Sequence, residues 1–308
     1  MKNKLFTSII KITKLTFEGF STHSVMTYAA AIAFYTIFSL PGLLLTVIVT
    51  AGFFLGQEAV QGELVSELQG YIGTASAETV ENIITKIQLS GDLTVKTLIG
   101  VGTLLFSATT IFMALQEALN RIWDVVATPK KGFVKFLINR VLSFGMIVSL
   151  GFILLVSLLL DSVLTLFFDK LENALGETPS IVLDLTGSLI SIIAVFAVIM
   201  LVFKVLPDVK LKWKNVLMAA LFTTLFLSFG NLLISWYISN SDFSETYEAA
   251  GSIIIILVWV YYSTVMVLFG AEITRAYMLY KKHPIEPSKG AKKIKTIQVD
   301  YDEYQSEL

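Results

Sequence analysis

No cysteine occurs in the chain, so disulfides, thiolate metal sites and a cysteine nucleophile are excluded. Histidine is almost as scarce. The two present, His23 and His283, have no second histidine or paired carboxylate at the spacing a metal centre needs. A lone histidine of this kind reads as an interfacial residue, and neither metal nor other cofactor is expected. There is no glycine-rich loop followed by Lys-Ser/Thr, which excludes a P-loop ATPase; the GSIII run at Gly251 is a helix-packing feature. Charge is sparse too, at 15% of residues, where soluble domains carry about a quarter. The net charge of −1 leaves no basic field for nucleic acid. The first twenty residues hold lysines without a continuous apolar core, so no cleavable signal peptide is expected. Hydrophobic residues fill the place of charge, at 55% and a mean hydropathy of +0.75.

A helix needs roughly 20 apolar residues to cross the hydrocarbon core. Measured from one charge to the next, six gaps qualify. Glu18 to Glu58 encloses 39 uncharged residues, Lys96 to Glu117 encloses 20, and Arg140 to Asp161 another 20. Asp184 to Lys204 encloses 19, Lys214 to Asp242 encloses 27, and Glu248 to Glu272 encloses 23. Only helices satisfy their own backbone in lipid at these lengths. The expected fold is therefore an all-α, six-transmembrane-helix bundle. Its spans fall at about 28–55, 97–117, 140–168, 185–205, 215–238 and 249–275, within a single membrane domain of residues 1–280.

With the N-terminus inside, 20 of the 23 cations fall on inner segments, leaving only Lys86, Lys96 and Lys170 outside. That asymmetry predicts a multi-pass inner-membrane protein with both ends in the cytoplasm. Residues 1–20 group Phe6, Ile9, Ile10, Phe17 and Phe20 near one helical face, which suits an N-terminal interfacial helix. The segment 57–96 is the one sizeable insertion between spans. Val60, Leu64 and Leu68 recur at four-residue spacing, and Val80, Ile83, Ile84 and Ile87 repeat the helical pattern after a capping Ser76. It reads as an external amphipathic helical hairpin. Residues 281–308, rich in lysine and then acidic, read as a disordered cytoplasmic tail.

Five blocks resemble the YihY/BrkB family of bacterial inner-membrane proteins. They are YAAAIAFYTIFSLPGLLL from Tyr28 to Leu45, LQEALNRIW from Leu115 to Trp123, FLINRVLSFG from Phe136 to Gly145 and FKVLPDVKLKW from Phe203 to Trp213. The fifth, YEAAGSIIIILVWVYYSTVMVLFGAEITRAY, runs from Tyr247 to Tyr277. The chain departs from the pattern at Pro41-Gly42, where the family usually has Ala-Pro, and at Gly230-Asn231, where Gly-Lys is common. The resemblance implies an inner-membrane protein concerned with moving lipid-like molecules. An older ribonuclease label also attaches to the family, but this chain's residue inventory does not support hydrolysis, and no enzyme is expected.

Arginine supplies the most specific candidates. Lysine suffices for topology, so the three arginines, Arg121, Arg140 and Arg275, mark places where a planar bidentate fork is needed. All three sit at span ends on the inner side. Glu117 is four residues before Arg121 and Glu272 three before Arg275, which suits helical ion pairs. Two readings follow: structural Glu–Arg clamps, or an anionic-headgroup site at the inner leaflet. Asp161 and Asn231 are intramembrane polar residues, candidates for cation binding or helix–helix contact. Pro41 removes a helical hydrogen bond and, with Gly42, is a candidate hinge. Ala29 and Ala33, four apart, allow close helix contact.

The function expected is a translocator, flippase or exporter of an anionic lipid or amphiphile, with membrane lipids as its partners and no nucleic acid. The alternatives are a non-transporting scaffold that engages an envelope protein or a second copy, and, more weakly, a membrane-bound hydrolase. The native chain lacks thiols, so a single Ala75→Cys substitution tests the topology. It should react with impermeant maleimide from the outer side of spheroplasts; labelling only from the cytoplasmic side contradicts the assignment.

Overall fold

The computed structural model describes residues 2–55, 61–69 without 63 and 67, 74–88, 110–128, 145, 180–239 and 243–295. These are mostly helical. In chain order they form α1 (Lys2–Thr22), α2 (Val25–Leu55), α3 (Thr74–Gln88), a helix α4 over 110–122, α5 (Ser180–Val205), α6 (Trp213–Ser239) and α7 (Phe243–Tyr280). Two three-residue strands, β1 (Val125–Ala127) and β2 (Ala291–Lys293), complete the set.

The first, fourth, fifth and sixth expected spans coincide with α2, α5, α6 and α7. Two stretches among the described residues are long and apolar enough to cross a membrane. They are Trp213–Gly230 in α6, with mean hydropathy 1.2, and Ile253–Tyr280 in α7, with 2.3. Val25–Ser39 and Ser191–Val205 are shorter apolar stretches. Among the described residues, much of these surfaces is left exposed. Phe34, Phe38, Ile193, Leu225, Phe229 and Val258 all point outward, as lipid-facing residues do and a soluble core helix does not. The span at 140–168, with Arg140 and Asp161, lies outside the described residues apart from Gly145, as does most of 97–117.

α7 is the mast on which the rest is hung: α1, α2, α3 and α6 all pack against it, and α5 packs on α6. Ala29 and Ala33 are both fully buried, so α2 approaches its neighbours without side-chain bulk between. α2 is helical without a break through Pro41 and Gly42. Gly230 serves the same close approach between α6 and α7: a Cβ there would collide with the Tyr262 hydroxyl, which donates to the Phe226 carbonyl at 2.8 Å. α1 leaves Phe6, Ile9, Ile10 and Phe17 exposed along one face, as an interfacial helix requires. Phe20 instead packs on Phe269 of α7, with ring centroids 5.8 Å apart, and the exposed Phe17 ring lies 6.0 Å from the same residue at the edge of that face. α3 begins at Thr74, so Ser76 lies inside its first turn rather than capping it. Its Ala77 and Val80 are buried.

The largest departure from expectation is the segment after α7. The disordered tail expected from residue 281 is, as far as 295, folded back onto the bundle. Helix α7 ends in a Schellman motif, with His283 N–H donating to Met278 O at 2.8 Å and Lys282 N–H to Leu279 O at 3.0 Å. Val209 then bridges Pro287, and a turn at Ser288–Ala291 uses Gly290 with φ 88°. β2 pairs antiparallel with β1, Val125 opposite Lys293 and Ala127 opposite Ala291.

This return closes a compact cap at the lysine-rich end. Asn120 of α4 clasps the 206–212 loop: its Nδ2 donates to Asp208 Oδ2 at 2.9 Å, and its Oδ1 accepts from Asp208 N–H at 2.7 Å. Ser288 N–H donates to Asp208 O at 2.9 Å, so the tail, the loop and α4 share one residue. Trp123, Leu119, Phe203, Leu268 and Met278 are fully buried at this junction.

Candidate functional site

Three helices in the described part end in residues of left-handed conformation that are not glycine: Ser24 after α1, Asp124 after α4 and Lys282 after α7, each with φ 54°. That conformation disfavours an L-residue by roughly 1–2 kcal/mol, though Asp tolerates it better than most. At Asp124 the turn also sets the carboxylate. It lies between α7 and the α1–α2 elbow, where His23 stands.

The result is a linked chain of charges. Glu272 of α7 is fully buried, and its Oε1 lies 2.5 Å from His23 Nδ1. The other face of the ring, Nε2, is 3.6 Å from Asp124 Oδ1. The second oxygen of Asp124 accepts from Arg275 Nη2 at 2.6 Å. Gly19 makes room for this arrangement, because a Cβ there would strike the Glu272 carboxylate. Two buried polar atoms in the cluster, Glu272 Oε2 and Arg275 Nε, have no hydrogen-bond partner among the described residues.

The electrostatics follow from this geometry. Burial works to raise the Asp124 carboxyl, but the His23 ring beside it, the hydrogen bond from Arg275 and the charge of Arg275 outweigh it, and its pKa is lowered to about 2. At His23, burial favours the neutral ring, yet Asp124 and Glu272 together prevail and the pKa is raised above 6.5.

A cavity of about 430 Å³ opens beside the cluster, lined by Thr22, His23, Arg121, Asp124, Arg275, Lys293, Ile294 and Lys295. Four cations, one carboxylate and one histidine make it an anion-favouring environment. Two of the three arginines singled out from sequence, Arg121 and Arg275, thus converge on one space; Arg140 lies outside the described residues. The helical pair expected between Glu272 and Arg275 is replaced. Glu272 turns inward to His23, and Arg275 reaches Asp124, 151 positions away. Glu117 is exposed on α4. The side chain of Asn231 is outside the described set. The reading of His23 as a merely interfacial residue is overturned: it is buried and held between two carboxylates. Asp124 was missed altogether, although it directly follows Trp123 at the end of a family-like block.

The model for the family described as Virulence factor BrkB matches residues 16–295. Among curated proteins, the chain is 26% identical over 277 residues to a ribonuclease-like protein, YfkH, of Bacillus subtilis, covering 88% of this chain and 96% of that one. It is 26% identical over 191 residues to a UPF0761 membrane protein of Alcanivorax borkumensis, covering 61% of this chain and 42% of that protein. A third relative, a UPF0761 membrane protein of Stenotrophomonas maltophilia, is 24% identical over 260 residues, covering 84% of this chain and 58% of that one. The chain thus spans about half the length of these last two. No solved structure matches.

Because Asp124 ionises more readily in the fold than in the unfolded chain, its contribution is present above its usual pKa of 3.8 and lost as pH falls through about 2. Asp124→Asn should therefore cost roughly 2 kcal/mol near neutral pH, read as a lower Tm in detergent. The difference from wild type should vanish at the acid end; a constant difference across pH contradicts the ionised pairing.

Proposed function

The chain belongs to the Virulence factor BrkB family of membrane proteins, and on that premise we propose that it binds the headgroup of an anionic lipid or amphiphile and moves it across the bacterial inner membrane. The observation that carries this reading is the convergence of Arg121, Arg275, Lys293 and Lys295 on one cavity. They come from elements far apart in sequence, at the lysine-rich end of a bundle whose flanks are apolar. Forked guanidinium groups at a membrane boundary suit phosphate and carboxylate headgroups. On the positive-inside pattern this end is cytoplasmic, with both termini inside.

The name of YfkH points to another chemistry, ribonuclease-like action, which belongs to that protein. For this chain we infer none. Among the described residues no group of three or more His, Cys, Asp or Glu side chains is placed to hold a metal ion, and His23 is already engaged by two carboxylates.

The test is reconstitution. In vesicles bearing a fluorescent phosphatidylglycerol on one leaflet, the full chain should speed its appearance on the other leaflet over protein-free vesicles, with little effect on labelled phosphatidylcholine. Arg121→Lys keeps the charge and removes the fork. It should slow that movement by roughly tenfold while leaving Tm unchanged. Movement of both lipids alike, or an unimpaired Arg121→Lys, contradicts the reading.

A further inference from the structure

The cavity's wall contains a titratable group that anion binding alone does not require. His23 lines the cavity, while the Glu272 carboxylate it meets on its other side is fully buried within α7. Gly19 preserves the room for that carboxylate. The two ring nitrogens therefore face different worlds: Nδ1 an enclosed acid at 2.5 Å, Nε2 the cavity and the rim of Asp124 at 3.6 Å.

We propose that this site binds a proton together with its anion, the exchangeable proton being held at His23 Nε2. The proposal rests on the reading of the cavity as an anion site and adds the second ligand. Glu272 keeps the Nδ1 proton in both states, so it fixes the tautomer and acts as a positioning residue. Protonation adds the proton at Nε2 from water in the cavity and turns the ring into a cation. The Glu272–His23 pair then passes from a net charge of −1 to zero. Around the ring stand Arg275 and Glu272 from α7, Asp124 and Arg121 from the end of α4, and Lys293 and Lys295 from the returning tail. Asp124 is already bound to Arg275 at 2.6 Å and holds His23 only loosely. An oxyanion entering among these cations gains from one more positive charge, and by reciprocity it tightens the hold on the proton. The rise of the His23 pKa above its ordinary value, where Asp124 and Glu272 outweigh burial, is in keeping with this. A translocator without an ATPase motif would thereby have a means of coupling its load to a proton gradient.

The experiment measures anion affinity of the full chain against pH, with two probes that do not titrate near neutrality. Free sulfate tests the oxyanion alone, and phosphatidylglycerol in phosphatidylcholine nanodiscs tests a lipid headgroup. Above the His23 pKa, wild-type affinity should fall by up to roughly tenfold per pH unit, the limit for one linked proton. His23→Gln should abolish the slope. Glu272→Gln should move it to lower pH rather than remove it, a displacement that a merely structural role would not give. Calorimetry of the wild type in buffers of different ionisation enthalpy reports proton uptake directly, even if the variants do not fold. Binding of either probe without proton uptake, or an unchanged slope in His23→Gln, overturns the coupling alone. Absence of binding by both probes at every pH overturns the anion reading and the coupling with it. Binding of sulfate but not phosphatidylglycerol keeps the coupling and overturns the lipid assignment.

Discussion

A carboxylate inside an apolar helix has to be answered by a hydrogen-bond donor or a charge within reach, because an isolated ion in low dielectric is among the costliest things a fold can contain. Glu272 is such a group, and the answer comes from His23 at 2.5 Å. Much of the cap's architecture follows from that requirement. His23 must sit at the break between α1 and α2, so α1 must lie against α7, with Gly19 giving way to the acid. The far side of the ring then needs Asp124, which fixes the end of α4, and Asp124 in turn engages Arg275. Breaking one member of a buried pair typically costs about 3–5 kcal/mol, because the other is left charged and alone.

The same linkage connects structure to chemistry. Charges that merely held helices together could be fully enclosed, as Glu272 is. Here the chain of contacts runs from that enclosed acid outward to a cavity walled by arginine and lysine. The tail contributes Lys293 and Lys295 to that wall only because β2 pairs with β1 immediately after Asp124. Cap and cavity are thus one construction. The apolar helices supply the membrane setting, and the lysine-rich end supplies the polar site.

Much of this was legible in the sequence, for reasons that differ by element. The apolar helices α2, α5, α6 and α7 announce themselves because lipid demands long uncharged runs, which local composition records directly. The exposed apolar face of α1 is equally local, written in the spacing of Phe6, Ile9 and Ile10. Rarity of residue type singled out Arg121 and Arg275, but that they share one cavity is visible only in the structure. What could not be read was pairing across sequence distance. His23 and Glu272 are 249 positions apart, and no spacing rule relates them. The i,i+3 rule favoured Glu272 with Arg275, but exposed helical pairs stabilise by only about 0.2–0.5 kcal/mol. The demand of a buried acid for a partner is far larger, and it won. The tail was misread because strands of three residues are too short to show alternation, and a lysine-rich sequence looks solvated until its partner strand is known.

The central claim is that His23 and Glu272 act as one buried unit, and a double-mutant cycle on unfolding free energy in mixed micelles tests it most directly. His23→Gln and Glu272→Gln should each be destabilising by roughly 2–4 kcal/mol, with the double variant little worse than the more damaged single, a coupling of about 2 kcal/mol. Additive costs, with coupling near zero, would contradict the account.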